Sequence, residues 1–94
     1  MGRSYRLSTD AKLDMRSIWE YGFRTWSKEK ANTYTKQLEN AIRMIATGDR
    51  SGILFDAKRK RYKFFCKLHT IYYEAQNDYV YILRILHQRQ KGKF

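Results

Sequence analysis

Three groups near the C-terminal end of the chain suit a phosphate or a carboxylate: Arg84, His87 and Arg89. They close the stretch Tyr79-Val80-Tyr81-Ile82-Leu83-Arg84-Ile85-Leu86-His87-Gln88-Arg89. Arg61 ends a second basic stretch, Lys58-Arg59-Lys60-Arg61, which suits nucleic acid or simply a solvated loop. His69 lies among aromatic residues, a setting for packing or hydrogen bonding more than for reaction. Cys66 is the single cysteine, so no intramolecular disulfide forms, as in a reducing cytoplasm. In an apolar stretch it reads as a buried packing residue. Two histidines and one cysteine show no metal-ligand spacing, and Gly48 and Gly52 match no phosphate-binding loop. No cofactor is expected.

The elements that hold these groups follow from periodicity. The Tyr79 stretch is rich in β-branched and aromatic residues and follows Gln76-Asn77-Asp78, so it predicts a strand. Strict alternation puts Tyr79, Tyr81, Leu83, Ile85 and His87 on one face and Val80, Ile82, Arg84 and Leu86 on the other. Tyr62, Phe64 and Cys66 alternate with Lys63, Phe65 and Lys67, and Thr70, Tyr72 and Glu74 alternate with His69, Ile71 and Tyr73. Both runs predict strands. Upstream, Tyr5-Arg6-Leu7 predicts a short strand. Ser8 is placed as an N-cap, with Asp10 and Asp14 favouring the start of the helix dipole. Ala11, Met15, Ile18, Gly22 and Trp26 share one helical face. Trp19 and Trp26 are expected in the core or between helices rather than as a base-stacking platform, and Gly22 loosens the late part of the helix. Ser27 caps a second helix carrying Ala31, Tyr34, Leu38, Ala41, Ile42 and Ile45, closed by Gly48. The short link makes the two helices an antiparallel hairpin. Residues 48–61 are expected as a basic loop. The whole is an α+β fold in the order β-α-α-β-β-β: a helical hairpin packed on a mainly antiparallel four-stranded sheet, with residues 1–94 as one domain.

The formal net charge of +11 predicts a negative partner, whether nucleic acid, an acidic protein or an anionic surface. With 43% hydrophobic residues the chain should fold. The longest apolar runs are far short of a membrane span, and no signal peptide opens the chain, so the expectation is a cytoplasmic protein with no membrane partner.

Several motifs taken in order resemble the ParE toxins of bacterial type II toxin–antitoxin pairs, within the RelE/ParE superfamily. They are Tyr5-Arg6-Leu7-Ser8, Ile18-Trp19-Glu20-Tyr21 with Trp26, Ala31-Tyr34-Leu38, His69-Thr70-Ile71-Tyr72-Tyr73, and Ile82-Leu83-Arg84-Ile85-Leu86-His87-Gln88-Arg89. Two features depart from the family: a shorter, more basic loop before the second strand, and a chain that stops at Lys91-Gly92-Lys93-Phe94 where a short tail often follows. The resemblance implies a non-enzymatic toxin that inhibits DNA gyrase by direct binding and is neutralised by a ParD-like antitoxin with an acidic tail. Arg61, Arg84, His87 and Arg89 are then the partner- or target-binding residues, with Lys58, Arg59 and Lys60 as a basic patch. Arg61 is expected to come near Arg84 and Arg89 at one end of the sheet.

The related RelE branch implies a different chemistry, ribosome-dependent cleavage of messenger RNA. There His87 would serve as acid or base and Arg61 and Arg84 would hold the phosphate. No Asp or Glu lies near His87 in sequence to assist it. A third reading is a non-catalytic basic module that binds nucleic acid.

Overall fold

The computed structural model describes residues 3–90; the terminal Lys91-Gly92-Lys93-Phe94 lies outside them. The elements are β1 (Ser4–Leu7), α1 (Thr9–Thr25), α2 (Lys28–Thr47), β2 (Ile53–Asp56), β3 (Arg61–Cys66), β4 (His69–Ala75) and β5 (Tyr79–His87). Both predicted caps form. The Ser8 hydroxyl accepts from the Ala11 N–H at 2.9 Å, and the Ser27 hydroxyl accepts from the Lys30 N–H at 3.1 Å. Gly48 ends α2 at a φ of 89°, in the left-handed region where glycine carries no Cβ penalty.

The sheet has five strands in the order β1-β5-β4-β3-β2, antiparallel except for the β1–β5 pair. The helical hairpin packs on one face. Leu38, Ile42 and Ile45 of α2 meet Ile71 and Tyr73 of β4 and Val80, Ile82 and Ile85 of β5, all buried. Burying seven or eight such side chains is the main favourable term, at roughly 1.5–3 kcal/mol each.

The α+β class is the one expected, and the sheet carries one strand more. Ile53, Leu54 and Asp56 pair with β3 inside the stretch expected as a basic loop, and Phe55 is the residue passed over in a bulge. The basic run itself divides. Lys58, Arg59 and Lys60 form the β2–β3 turn, where the Asp56 carboxylate accepts from the Arg59 N–H at 3.0 Å. Arg61 opens β3.

Strict alternation fails at Phe55 in β2 and again in β5. Ile82 pairs with Tyr73 and Arg84 with Tyr72, so Leu83 is an extra residue in a bulge. Past it the faces exchange. Ile85 and His87 join Val80 and Ile82 toward the helices, and Arg84 turns to the opposite face from Ile82. The cause is the end of β1 at Leu7, opposite Ile82. Beyond that point the edge of β5 is served by α1 instead. The Ser8 N–H donates to the Ile82 carbonyl at 2.9 Å and the Ser8 hydroxyl to the Leu83 carbonyl at 2.7 Å. The Asp14 carboxylate accepts from the Ile85 N–H at 2.9 Å. Asp14, expected as a helix-dipole residue, therefore completes the hydrogen bonding of a strand edge.

Candidate partner-binding groove

The hairpin and the far end of β4 and β5 enclose an apolar groove of about 340 Å³. Ile18, Tyr21 and Trp26 form one wall, Tyr34 and Leu68 another, and His69 and His87 lie at the end of the sheet. Trp26 is 52% exposed, which corrects its expected place in the core: it is the C-cap of α1 and stands as a wall, edge-on to Tyr21 at 6.0 Å. Trp19 does join the helices, donating from its indole N–H to the Asn32 side-chain oxygen at 2.7 Å.

The two histidines face each other with ring centroids 5.4 Å apart. The Tyr34 hydroxyl accepts from the Leu68 N–H at 3.1 Å and shares a hydrogen bond with His69 Nδ1 at 2.7 Å. With Tyr34 as the donor, His69 is the neutral tautomer with its proton on Nε2. Burial, with the neighbouring His87 charge, lowers the His69 pKa to about 4; the more distant Asp14 works weakly the other way. Burial likewise raises Tyr34 above the usual phenol range. His87 Nδ1 accepts from the Arg89 N–H at 3.2 Å. Among the described residues no carboxylate hydrogen-bonds either imidazole. Cys66, at the same end of the sheet, is half-buried against the core, and burial pushes its thiol up.

Arg84 finds the carboxylate that a packed arginine needs. Its Nε donates to Asp14 at 2.8 Å and its second guanidinium nitrogen donates to the other oxygen at 2.9 Å. This hydrogen bond, more than any other cause, holds the guanidinium above its ordinary pKa. Arg61 pairs with Glu74 at 3.0 Å. Arg61, Arg84 and Arg89 do not form the expected cluster: Arg61 and Arg84 each pair with their own carboxylate, and Arg89 lies past the opposite end of the sheet from Arg61. Arg61 shares a row with Glu74 and Tyr81, whereas Cys66, His69 and His87 share the row five residues further along β3. That separation is about 17 Å at ~3.3 Å per residue. Two antiparallel reversals make β3 and β5 run the same way, so the start of β3 lies beside the start of β5. Counting strand parity would have placed Arg61 correctly. Arg89 lies exposed just past β5, beside His87. Lys58, Arg59 and Lys60 are exposed on their turn, away from the groove. The Tyr34–His69 bridge and the role of Asp14 were not visible in the sequence, because both depend on contacts more than 30 residues apart.

The chain is a helical hairpin on a five-stranded sheet with an apolar groove at one end, in which Tyr34 and His69 are hydrogen-bonded to each other. Its relatives give it a family. The family described as "ParE toxin of type II toxin-antitoxin system, parDE" matches residues 5–92, and the chain belongs to it. Toxin ParE1 of Caulobacter vibrioides is 33% identical over 92 residues, which span 97% of this chain and 95% of that one. Toxin ParE1 of Mycobacterium tuberculosis is 31% identical over 91 residues, spanning 95% and 93%. A solved structure titled as the chromosomal ParDE TA system from P. aeruginosa shares the fold, with a TM-score of 0.78 at 13% identity over 90% of this chain and 95% of that one. No helix among the described residues is long and apolar enough to cross a membrane.

Proposed function

We propose that this ParE-family toxin acts in the cytoplasm by binding DNA gyrase directly, without chemistry of its own, and that a ParD-like antitoxin with an acidic tail neutralises it. The observation that carries the non-enzymatic reading is the dispersal of the polar groups. His69 is kept neutral by burial and hydrogen-bonded to Tyr34, Asp14 is occupied by Arg84 and the Ile85 N–H, and Arg61 is at the far end of the sheet from the histidines. An RNA-cleaving centre needs an acid, a base and a phosphate clamp in one place. Here the residues assigned to those roles are dispersed. The antitoxin has two surfaces that suit a segment folding on binding. One is the apolar groove. The other is the β2 edge, where Ile53, Leu54 and Phe55 are exposed next to the basic turn.

The test is purified protein in two assays, gyrase supercoiling and messenger cleavage on ribosomes, with His87→Ala beside the wild type. The expected result is loss of supercoiling in both proteins and intact messenger. Messenger cleavage that His87→Ala lowers by about 10²–10⁴, in a folded protein, would replace this reading with the endoribonuclease.

A further inference from the structure

The helices cover one face of the sheet, and the other face carries rings set among cations. Cross-strand neighbours share a face, so Ile53, Lys63, Tyr72 and Arg84 form one row there, and Phe65, Thr70 and Leu86 the next. Phe55 joins them, edge-on to Tyr72 at 6.1 Å. Phe65 is 53% exposed and Phe55 37%. The core lies on the opposite face, so these two rings are not what holds the helices on. The Lys63 ammonium sits 5.9 Å from the centre of the Phe65 ring, and the Arg6 guanidinium stacks 4.4 Å over Tyr79. Of the carboxylates near this face, Glu74 is paired with Arg61 and bonded by Gln76, Asp14 is paired with Arg84, and Asp56 accepts from the Arg59 N–H. Lys58, Arg59 and Lys60 extend the positive charge past the end of β3.

We propose that the open face of the sheet is a platform for single-stranded nucleic acid, with bases stacking on Phe55 and Phe65 and phosphates meeting Lys63 and the basic turn at residues 58–60. The chemistry selects this ligand. An exposed phenyl ring beside an ammonium matches a unit that has both a flat π-face and a negative charge, and that unit is an unpaired nucleotide. A duplex hides its base faces in its own stack, and a broad five-stranded face does not enter its grooves. An acidic polypeptide offers the charge without the π-faces.

Fluorescence anisotropy of the full chain with a labelled oligothymidylate or oligouridylate of about 12 nucleotides tests this. A duplex of equal length and poly-glutamate serve as competitors. Single strands should bind more tightly than either competitor. Phe65→Ala and Phe55→Ala should each weaken binding by about 5–150-fold, the loss of one stacked base, without changing its dependence on salt. Lys63→Met should reduce the salt slope by about 0.7, the loss of one phosphate contact. Phe65→Leu, which keeps an apolar side chain, should melt like the wild type and bind like Phe65→Ala. Equal binding of poly-glutamate with no effect of either ring would overturn the platform and leave a plain polyanion surface. Duplex preference, or no binding at about 50 mM salt, would overturn it as well. The measurement contains no gyrase or antitoxin, so the platform and the toxin mechanism stand or fall separately.

Discussion

A neutral histidine in a half-buried pocket carries a signature in pH. His69 has a folded pKa near 4 against an ordinary value near 6.5. Between those values the unfolded chain holds the proton and the folded one does not, so stability falls as pH falls from about 6.5 to about 4 and levels off below. A fully buried ring would lose roughly 3 kcal/mol over that window; water screening of this half-buried one leaves on the order of 1–2 kcal/mol. Urea unfolding at several pH values, with His69→Gln as the flat reference, checks the size. A ring titration of His69 centred near 6.5 in the folded protein would refute the burial of this ring. The arginines give a second contrast. Arg84→Glu sets a carboxylate against Asp14 and should cost about 2–3 kcal/mol, less than the ~3–5 of a fully buried pair because 35% of the Arg84 side chain is exposed. Arg89→Glu, past the end of the strand, should change stability by under about 0.5 kcal/mol while weakening the antitoxin or gyrase complex. Thermal melts paired with binding to both partners decide it. Unchanged binding by a folded Arg89→Glu would move the functional surface elsewhere.

Among the elements, the hairpin shows how a single residue reads differently in sequence and in space. Gly22, a weak point in α1 by propensity, lies in close contact with Ala31 of α2. A Cβ there would stand 3.2 Å from the Ala31 Cβ and 3.3 Å from its Cα. Helix propensity alone would make Gly22→Ala stabilising by about 1 kcal/mol, whereas overpacking costs ~1–3 kcal/mol. The nearest atoms belong to a backbone and a methyl group, neither of which swings aside, so crowding wins and the variant should be net destabilised. A Gly22→Ala protein with a higher melting temperature would show that the helices part easily. Most other elements were legible because their signals are local: the two serine caps, the apolar spacing of α2, and the aromatic alternation of β3 and β4. What escaped was set by neighbours. β2 is four residues, Ile53–Asp56, with a bulge at Phe55, too short and irregular for a period to show. The Leu83 bulge arises from the length of a different strand, β1, and from where α1 takes over its edge. Of the candidate site, the types of the basic residues were readable. Their grouping was not, because it depends on strand direction and on Asp14, seventy residues from Arg84.

At the scale of the whole molecule, charge and apolar surface divide the work of recognition. Twenty Lys and Arg residues against nine Asp and Glu make the chain a long-range attractor for an acidic partner. The groove walls Tyr21 and Trp26, 58% and 52% exposed, and the edge residues Ile53 and Leu54, 56% and 48% exposed, are among the apolar surfaces that gain from being covered. Steering acts before contact and is screened beyond about 8 Å at physiological ionic strength, while apolar burial acts only after contact and is little affected by moderate salt. An antitoxin segment that folds onto these surfaces should therefore associate more slowly as salt rises and dissociate at nearly the same rate. Stopped-flow association and dissociation across a salt series, with wild type and Trp26→Ala, separate the two contributions. Trp26→Ala should speed dissociation and leave the salt dependence of association unchanged. An association rate indifferent to salt would remove charge from the encounter. A Trp26→Ala protein that releases the antitoxin at the wild-type rate would place the anchoring contacts on the β2 edge instead of in the groove.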